Sequence, residues 1–253
     1  MNNSESGTLN RLKGIDVSHH QGIIDWKKVK EAGFDFVFVK ATEGGDFVDE
    51  SFARNRKGAR EAGLAVGYYH FFRPSTSVDL QVANFLRSVG ALETDALCPV
   101  LDCEDPKLWL NYSVKERVRM IVAWCSKVQR ALGVTPIIYG SPNFFDTVLE
   151  NAPELANYRL WIANYNVAEP TLPKPWTSWS FWQNSENGTV PGVSTDVDTN
   201  VYNGGDLTKA RAKRGADEDD DGTGSIWFRI FCWAVGILYL FGMATVIYEH
   251  FCR

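Results

Sequence analysis

The chain has 253 residues, of which 45% are apolar and 23% are charged, and its formal net charge is −5. This balance is typical of a globular protein and excludes a disordered chain, while the weak negative charge offers no surface for nucleic acid. The five cysteines show no CxxC spacing and no histidine at metal-ligand spacing. We therefore interpret them as buried residues or free thiols rather than a disulfide framework.

Residues 1–13 are polar and lack the apolar stretch of a signal peptide, so we expect a disordered tail. Beyond them the chain alternates between strand and helix patterns. Short apolar runs indicate strands, and amphipathic stripes between capping residues and glycines indicate helices. The predicted strands are 14–18, 34–40, 64–71, 96–101 and 135–140; the predicted helices are 26–32, 49–62, 76–89 and 114–132, with a short fifth helix after Ser141.

The pattern changes after the fifth helix. Residues 159–164, 179–183 and 197–202 resemble strands, but the segments between them are rich in Pro, Gly and Asn and show no helical stripe. Repeated β-then-α units require parallel strands with right-handed crossovers. Five such units followed by three strands predict an α/β barrel that lacks helices on one side.

The fourth predicted strand leads into two acidic residues, Asp102 and Glu104. In an extended strand their side chains point the same way, about 6.6 Å apart at Cα, and Cys103 points the other way. Carboxyl groups this close do not both ionise freely, so one is held towards its protonated form. A protonated acid beside an ionised partner is the equipment of glycoside hydrolysis, although Asp-x-Glu alone is a weak signal.

Polar or aromatic residues stand at the ends of all eight predicted strands. In a β/α barrel the active site lies at the carboxyl ends of the strands, so these side chains are expected to surround one bowl. Four carboxylates and several aromatic rings form a surface that suits a sugar. The residues are Asp16, Lys40 with Glu43, Tyr69 with His70, Asp102 with Glu104, Tyr139, Asn164 with Tyr165, Trp182 with Gln183, and Asp198.

Sequence blocks around these residues resemble the glycoside hydrolase family 25 muramidases, the Chalaropsis-type lysozymes also found among phage endolysins. The resemblance runs from Gly14 to about Leu207. Its blocks are Gly14-Ile15-Asp16-Val17-Ser18 with Asp25-Trp26, Lys40-Ala41-Thr42-Glu43-Gly44, Gly67-x-Tyr69-His70-Phe71, Pro99-Val100-Leu101-Asp102-x-Glu104, Leu160-Trp161-Ile162-Ala163-x-Tyr165, Trp182-Gln183 and Val197-Asp198-x-Asn200.

The resemblance implies a flattened, incomplete TIM-like barrel of the form (β/α)5(β)3 over residues 14–208. It also implies cleavage of the β-1,4 bond between N-acetylmuramic acid and N-acetylglucosamine in peptidoglycan, without a cofactor. Glu104 would be the general acid/base and Asp102 its partner, with Asp16 and Asp198 completing the acidic site. Whether Asp102 attacks the sugar or orients the substrate's own N-acetyl group stays open. The candidate substrate-binding residues are Lys40, Glu43, Tyr69, His70, Tyr139, Tyr165, Trp182 and Gln183.

Two other interpretations remain. The barrel could bind glycans without cleaving them, although the intact carboxylates argue against this. It could also be another hydrolase of N-acetylated glycans, although the longer Asp-x-x-Asp-x-Asp-x-Glu strand of chitinase-like enzymes is absent. His19 and His20 have no third ligand at suitable spacing, so we expect loop residues and no metal site.

The C-terminal part has a different composition. Residues 209–225 combine a basic cluster, an acidic run and Gly and Ser, which predicts a flexible linker. Residues 226–249 are predicted to form a transmembrane helix, because the run from Ile230 to Tyr248 is uncharged and long enough to span a bilayer. Residues 250–253 would be a short tail.

The side of the membrane on which the barrel lies is left open. Basic residues cluster before the predicted span, and one follows it, which mildly favours a cytoplasmic barrel. Peptidoglycan lies on the other side. A viral lysis enzyme held at the inner face until the membrane is breached would account for this, and so would an exported enzyme tethered outside. The basic residues are Lys209, Arg211, Lys213, Arg214 and Arg229 before the span and Arg253 after it.

Overall fold

The computed structural model describes residues 11–212. The predicted membrane segment, from Ile230 to Tyr248, and the predicted linker beyond Ala212 lie outside these described residues. Within residues 11–212, no helix combines the length and the apolar character needed to cross a bilayer.

Nine strands form one sheet that closes on itself, because the first strand pairs with both the second and the last. The strands are β1 (Leu12–Val17), β2 (Phe36–Glu43), β3 (Phe47–Val48), β4 (Ala65–Phe71), β5 (Val100–Asp102), β6 (Ile137–Gly140), β7 (Arg159–Ala163), β8 (Phe181–Gly188) and β9 (Val197–Tyr202). β3 is a short hairpin partner of β2. The other eight form the barrel, in the ring order β1-β2-β4-β5-β6-β7-β8-β9.

Five helices follow the strands of the first half, which agrees with the predicted five β/α units and three further strands. They are α1 (Trp26–Glu31), α2 (Phe52–Glu61), α3 (Val78–Val89), α4 (Val114–Leu132) and α5 (Pro142–Thr147). The barrel pairings are parallel from β1 through β8, and β9 runs antiparallel to both neighbours. The antiparallel strand brings β9 residues beside the end of β1.

Local sequence explains where several helices begin and end. Ser113 and Glu116 form the predicted capping box of α4, and Gly133 ends that helix with a φ of 73°. Ser141 caps α5 as predicted. The helix predicted over residues 76–89 begins two residues later, because α3 begins at Val78 and the Ser77 side chain accepts a hydrogen bond from the backbone of Asp79.

Both predicted ends of the barrel domain need correction. β1 begins at Leu12, inside the predicted tail of residues 1–13, because Leu12 pairs with Tyr202 of β9. The predicted linker from residue 209 also begins too early. Arg211 forms a bridge with Leu97, and Ala210 and Ala212 are buried. Arg211 lies between these two alanines, so the sequence alone does not show that they form a buried apolar face.

The interior below the cleft is filled with aromatic rings. Phe38 stacks on Trp161 with ring centroids 4.4 Å apart, and Phe181 packs edge-on against Phe38 at 4.9 Å. A Cβ at Gly67 would lie 2.4 Å from the Phe38 ring, so only glycine permits this close approach. The aromatic plug closes one end of the barrel and leaves the carboxyl ends of the strands open.

Candidate active site

All four predicted carboxylates line one cavity of about 210 Å³ at the carboxyl ends of the strands. The cavity continues into a larger one of about 520 Å³, since both share Glu104, Tyr139, Tyr165 and Glu186. The smaller cavity is lined by Asp16, Tyr69, Asp102, Glu104, Tyr139, Trp161, Tyr165, Gln183, Glu186 and Asp198. The two cavities together form an elongated cleft.

The strand β5 delivers Asp102 and Glu104 to the cleft. Asp102 ends β5 and is 5% exposed, and Cys103 faces the apolar layer between the barrel and the helices, as strand alternation predicted. The chain turns sharply after Glu104, where Asp105 adopts a left-handed φ of 52°. Trp109 donates a hydrogen bond from Nε1 to the Glu104 carbonyl at 3.1 Å. Such backbone strain is held by surrounding contacts and is common at functional sites.

The pKa values of both carboxyl groups are raised. Burial and the charge of Glu104 raise the pKa of Asp102 well above its usual value. Burial and the charge of Asp16 raise the pKa of Glu104, and the nearby Lys40 ammonium opposes that rise. Asp102 Oδ1 is buried and has no hydrogen-bond partner within residues 11–212. An unpaired buried oxygen costs free energy, and a substrate donor would relieve that cost.

A second carboxyl pair stands on the opposite side of the cleft floor. Asp16 of β1 and Asp198 of β9 are directly paired in the antiparallel register. Asn200 and Gln183 donate hydrogen bonds to Asp16 Oδ2 at 2.7 and 2.9 Å. These donors hold the carboxylate of Asp16 in one orientation.

Asp198 carries the proton of this pair. Burial, the charge of Asp16 and the hydrogen bond that they share raise the pKa of Asp198 to about 8. Burial also raises the pKa of Asp16, while its hydrogen bonds from Asn200, Gln183 and Asp198 resist the rise. The two carboxyl groups therefore titrate as a coupled pair.

Further polar side chains orient the amides that hold Asp16. Tyr139 and Tyr165 both donate hydrogen bonds to Gln183 Oε1, at 2.8 and 2.5 Å. Trp161 donates from Nε1 to Asn200 Oδ1 at 2.8 Å. Each amide oxygen is thus occupied, which leaves its NH₂ group to face Asp16.

A charged group lies at the end of β2. Lys40 Nζ donates to Glu43 Oε2 at 2.6 Å, and Arg73 Nε donates to Glu43 Oε1 at 2.7 Å. Burial opposes ionisation of Glu43, but the hydrogen bonds from Lys40 and Arg73 outweigh it and lower the pKa of Glu43. Lys40 is 9% exposed, and it contributes positive charge beside Asp102 and Glu104.

Among the residues that the structure describes, four predicted site residues do not line the two cavities: Lys40, Glu43, His70 and Trp182. His70 and Trp182 are on the outer face of their strands because their neighbours Tyr69 and Gln183 point inwards. His70 bonds to Thr42 Oγ1 at 2.8 Å and to Gln81 Oε1 at 3.0 Å, and its ring stacks on Trp124. The assignments of His70 and Trp182 to the substrate-binding surface are therefore wrong.

Trp182 shows the same placement. Its Nε1 donates to the Asn164 carbonyl at 2.7 Å, and its ring packs edge-on against Trp179. Two residues that the sequence reasoning missed line the smaller cavity: Trp161, inside β7, and Glu186, at the far end of β8. Inward alternation from Ala163 would have found Trp161.

A separate cavity of about 420 Å³ is a poorer candidate for chemistry. It lies at the amino ends of β5 and β6, and its lining is mostly aliphatic. Its acidic residue Glu93 already forms ion pairs with Arg56 at 2.9 Å and Arg60 at 3.6 Å. Within residues 11–212, no three His, Cys, Asp or Glu side chains are grouped to hold a metal ion.

Comparisons with known proteins match the barrel. The family model described as Glycosyl hydrolases family 25 matches residues 15–193, which include Asp16, Asp102 and Glu104 and end before Asp198. Lysozyme M1 of Streptomyces globisporus is 36% identical over 200 residues, covering 76% of this chain and 68% of that protein. Uncharacterized protein YegX of Escherichia coli K12 is 38% identical over 198 residues, covering 76% of this chain and 70% of that protein. The crystal structure of the bacterial lysozyme from Streptomyces coelicolor matches with a TM-score of 0.73 and 35% identity, covering 76% of this chain and 92% of that chain.

Proposed function

Because this chain belongs to glycosyl hydrolase family 25 and is a muramidase that hydrolyses peptidoglycan, we propose that Glu104 is the general acid/base of its reaction. The bond cleaved is the β-1,4 bond between N-acetylmuramic acid and N-acetylglucosamine. The observation that carries the proposal is the convergence of Asp16, Asp102, Glu104 and Asp198, from three different strands, on one cleft.

The first step requires a proton for the leaving oxygen. The raised pKa of Glu104 keeps its carboxyl group protonated at a higher pH than an ordinary glutamate, so it can donate to the glycosidic oxygen. The same residue, once ionised, accepts a proton from the water that completes hydrolysis. Positive charge develops on the sugar ring in between, and the neighbouring carboxylates stabilise that charge.

Asp102 has two chemically distinct roles available. It could attack the anomeric carbon, or it could accept a hydrogen bond from the substrate's N-acetyl group while the acetyl oxygen attacks. A fluorinated sugar that traps a covalent adduct on Asp102 would support the first route. A steep fall in rate when the acetyl group is replaced by trifluoroacetyl would support the second, because fluorine weakens the acetyl oxygen as a nucleophile.

The pair formed by Asp16 and Asp198 supplies the rest of the acidic floor. Asp16 keeps two amide donors, so it resists further protonation, and the charge it carries helps to keep Glu104 protonated. Asp198 presents a proton to Asp16 and lies at the cleft surface. We infer that this pair positions the sugar hydroxyls and sets the charge of the floor.

The direct test is digestion of purified peptidoglycan, with identification of the sugar at each new reducing end. Wild-type protein should clear the suspension and release muramic acid reducing ends. Glucosamine reducing ends would instead indicate another N-acetylglycan hydrolase, and binding without clearing would indicate an inactive glycan-binding barrel. The Glu104→Gln variant should bind the same material without clearing it.

We further propose that the apolar run from Ile230 to Tyr248 tethers the barrel to a membrane, for host lysis or cell-wall degradation. The basic residues before the run favour a barrel on the cytoplasmic face before lysis. Protease treatment of intact spheroplasts tests this topology. A protected barrel supports it, and a digested barrel shows that the enzyme is tethered outside.

A further inference from the structure

Exposed aromatic rings cluster at the barrel mouth on the side of β1 and β2. Phe47 of β3 is 43% exposed, and the ring of His19 packs against it with centroids 6.2 Å apart. His20, which is exposed, packs against His19 with tilted rings whose centroids are 4.0 Å apart. We call the surface formed by His19, His20 and Phe47 the aromatic rim.

Buried polar groups hold the aromatic rim in place. Asp49 is 2% exposed, and it accepts hydrogen bonds from the backbone of His19 at 3.1 Å and from His19 Nδ1 at 2.7 Å. Asn84 is fully buried and donates to the Phe47 carbonyl at 2.9 Å and the Gly44 carbonyl at 3.2 Å. Burying a carboxylate or an amide costs free energy unless the group is paired. Asp49 and Asn84 are both paired, and their hydrogen bonds fix the position of the exposed rim from two buried positions.

The aromatic rim adjoins the catalytic cleft through Lys40. The Lys40 ammonium lies 5.6 Å from the Phe47 ring centroid and 5.1 Å from that of Phe71. Lys40 is also paired in register with Tyr69, which lines the cleft. A ligand that leaves the cleft on this side therefore meets Phe47 and His19 next.

The rim lies opposite the larger cavity. In the ring of eight barrel strands, the edge between β1 and β2 is four positions from the edge between β6 and β7. The 520 Å³ cavity is built from residues that follow β5, β6 and β7, including Asp105, Asn143 and Tyr165. The catalytic carboxylates lie between the cavity and the rim, so the path from one to the other crosses the whole mouth of the barrel.

We propose that the aromatic rim is a second glycan-binding site, which holds sugars of the same strand beyond those at the cleaved bond. The inference rests on the proposed function for its substrate. Exposed rings stack on the C–H faces of pyranose sugars. His19 adds a polar contact, because its Nδ1–H bond to Asp49 leaves Nε2 free to accept from a sugar hydroxyl.

The test uses peptidoglycan glycan strands stripped of peptide and separated by length. The Phe47→Ala variant should raise KM for long strands by about tenfold, which corresponds to about 1.4 kcal/mol, and the effect should shrink as the strand shortens. The kcat should hold, since Phe47 lines neither of the cavities that contain Asp16, Asp102, Glu104 and Asp198. Phe47→Tyr should restore the wild-type KM, because it restores the ring.

The matched control is Leu80→Ala. Leu80 is an exposed apolar side chain, 58% accessible, on the neighbouring surface of α3, and it carries no ring. The Leu80→Ala variant should leave KM unchanged at every glycan-strand length. An equal rise for Leu80→Ala, or no dependence on strand length for Phe47→Ala, overturns the proposal.

Binding measured by calorimetry in the Glu104→Gln background separates this proposal from the proposed function. In that background, long strands should still bind about tenfold more weakly when Phe47 is replaced by Ala. If wild type releases no reducing ends but Phe47→Ala still weakens the binding of long strands, the proposed reaction is wrong and the proposed glycan-binding site is supported. If wild type cleaves and the difference is absent, the rim alone fails.

Discussion

The two faces of the barrel strands carry polar residues for different reasons. Asp102, Tyr69 and Gln183 line the cleft, while their immediate neighbours in the sequence, Cys103, His70 and Trp182, lie among the helices. On the outer face, the polar atoms of the His70 and Trp182 side chains have hydrogen-bond partners. On the inner face, carboxyl groups are crowded and their pKa values are raised. The face, rather than the residue type, separates structural polar groups from those available for chemistry.

This contrast has an energetic meaning. His70 has hydrogen-bond partners at both ring nitrogens, so its burial adds packing without an unpaired group. Asp102 Oδ1 is buried without a partner within residues 11–212, and Asp105 next to Glu104 is strained. Active sites commonly reduce stability in this way. We therefore expect inner-face substitutions to affect activity and outer-face substitutions to affect stability.

The largest expected effect is on the inner face, at Asp102. Asp102→Asn should lower kcat on peptidoglycan by about 10²–10³-fold, because an uncharged amide neither attacks the sugar nor stabilises the positive ring. Its free energy of unfolding should stay equal or rise, since an amide is cheaper to bury than a carboxylate. Cys103→Ala is the neighbouring control, with kcat expected within about twofold and a loss of about 1 kcal/mol of stability. Similar kinetic losses in both variants would break the distinction between the faces.

The reciprocal effect is expected at His70. His70→Ala removes a buried ring stacked on Trp124 and leaves Thr42 and Gln81 without their partner, so unfolding in urea should show a loss of about 3 kcal/mol. The kcat of the folded variant should match wild type. A large fall in kcat with unchanged stability would contradict this expectation and assign His70 a role in the reaction.

The same residue predicts a pH effect. Burial lowers the pKa of His70 from 6.5 to about 4, so the unfolded chain binds this proton more readily than the folded one. The contribution of His70 to wild-type stability is complete above pH 6.5 and is lost as the pH falls towards 4. His70→Ala should lack this part of the acid dependence. Parallel curves of unfolding free energy against pH for wild type and His70→Ala would contradict this prediction.

Particular residues show how much of the fold and of the active site could be predicted from the sequence. The repeated β/α units predicted a barrel of five β/α units and three further strands, and alternation placed Asp102 and Cys103 on opposite faces. The same alternation, applied to Tyr69 and Gln183, would have excluded His70 and Trp182, but their position at strand ends was given more weight. The resemblance selected Asp198, whose pairing with Asp16 depends on the antiparallel register of β9.

Glu186 could not have been found in this way. β8 continues past Gln183 with two shifts in its register against β9, and no periodic pattern predicts such irregularities. The aromatic rim was not predicted from the sequence for a related reason. Phe47 lies on a two-residue strand, and His19 is oriented by Asp49, so the surface exists only through contacts between separate loops.

The smallest expected effect is the alkaline stability of the Asp16–Asp198 pair. The pKa of Asp198 is raised from 3.8 to about 8, so its contribution to stability is complete below 3.8 and is lost as the pH rises through about 8. Asp198→Asn keeps a donor to Asp16 and cannot ionise, so its stability should fall less across that window. The difference should stay below about 1.4 kcal/mol per pH unit, because Asp198 is partly screened by solvent. Thermal melting of both proteins across pH 8 measures it, and identical slopes would show that Asp198 is ionised throughout.

The role of Glu104 is tested most directly by changing the leaving group. An aryl glycoside with a dinitrophenolate leaving group needs no proton from the enzyme, whereas the glycosidic oxygen of peptidoglycan does. Glu104→Gln should slow peptidoglycan cleavage by about 10²–10⁴-fold and still release a rapid first turnover of phenolate from the aryl substrate. Equal losses on both substrates, or undiminished cleavage of peptidoglycan, would contradict the assignment of Glu104 as the general acid.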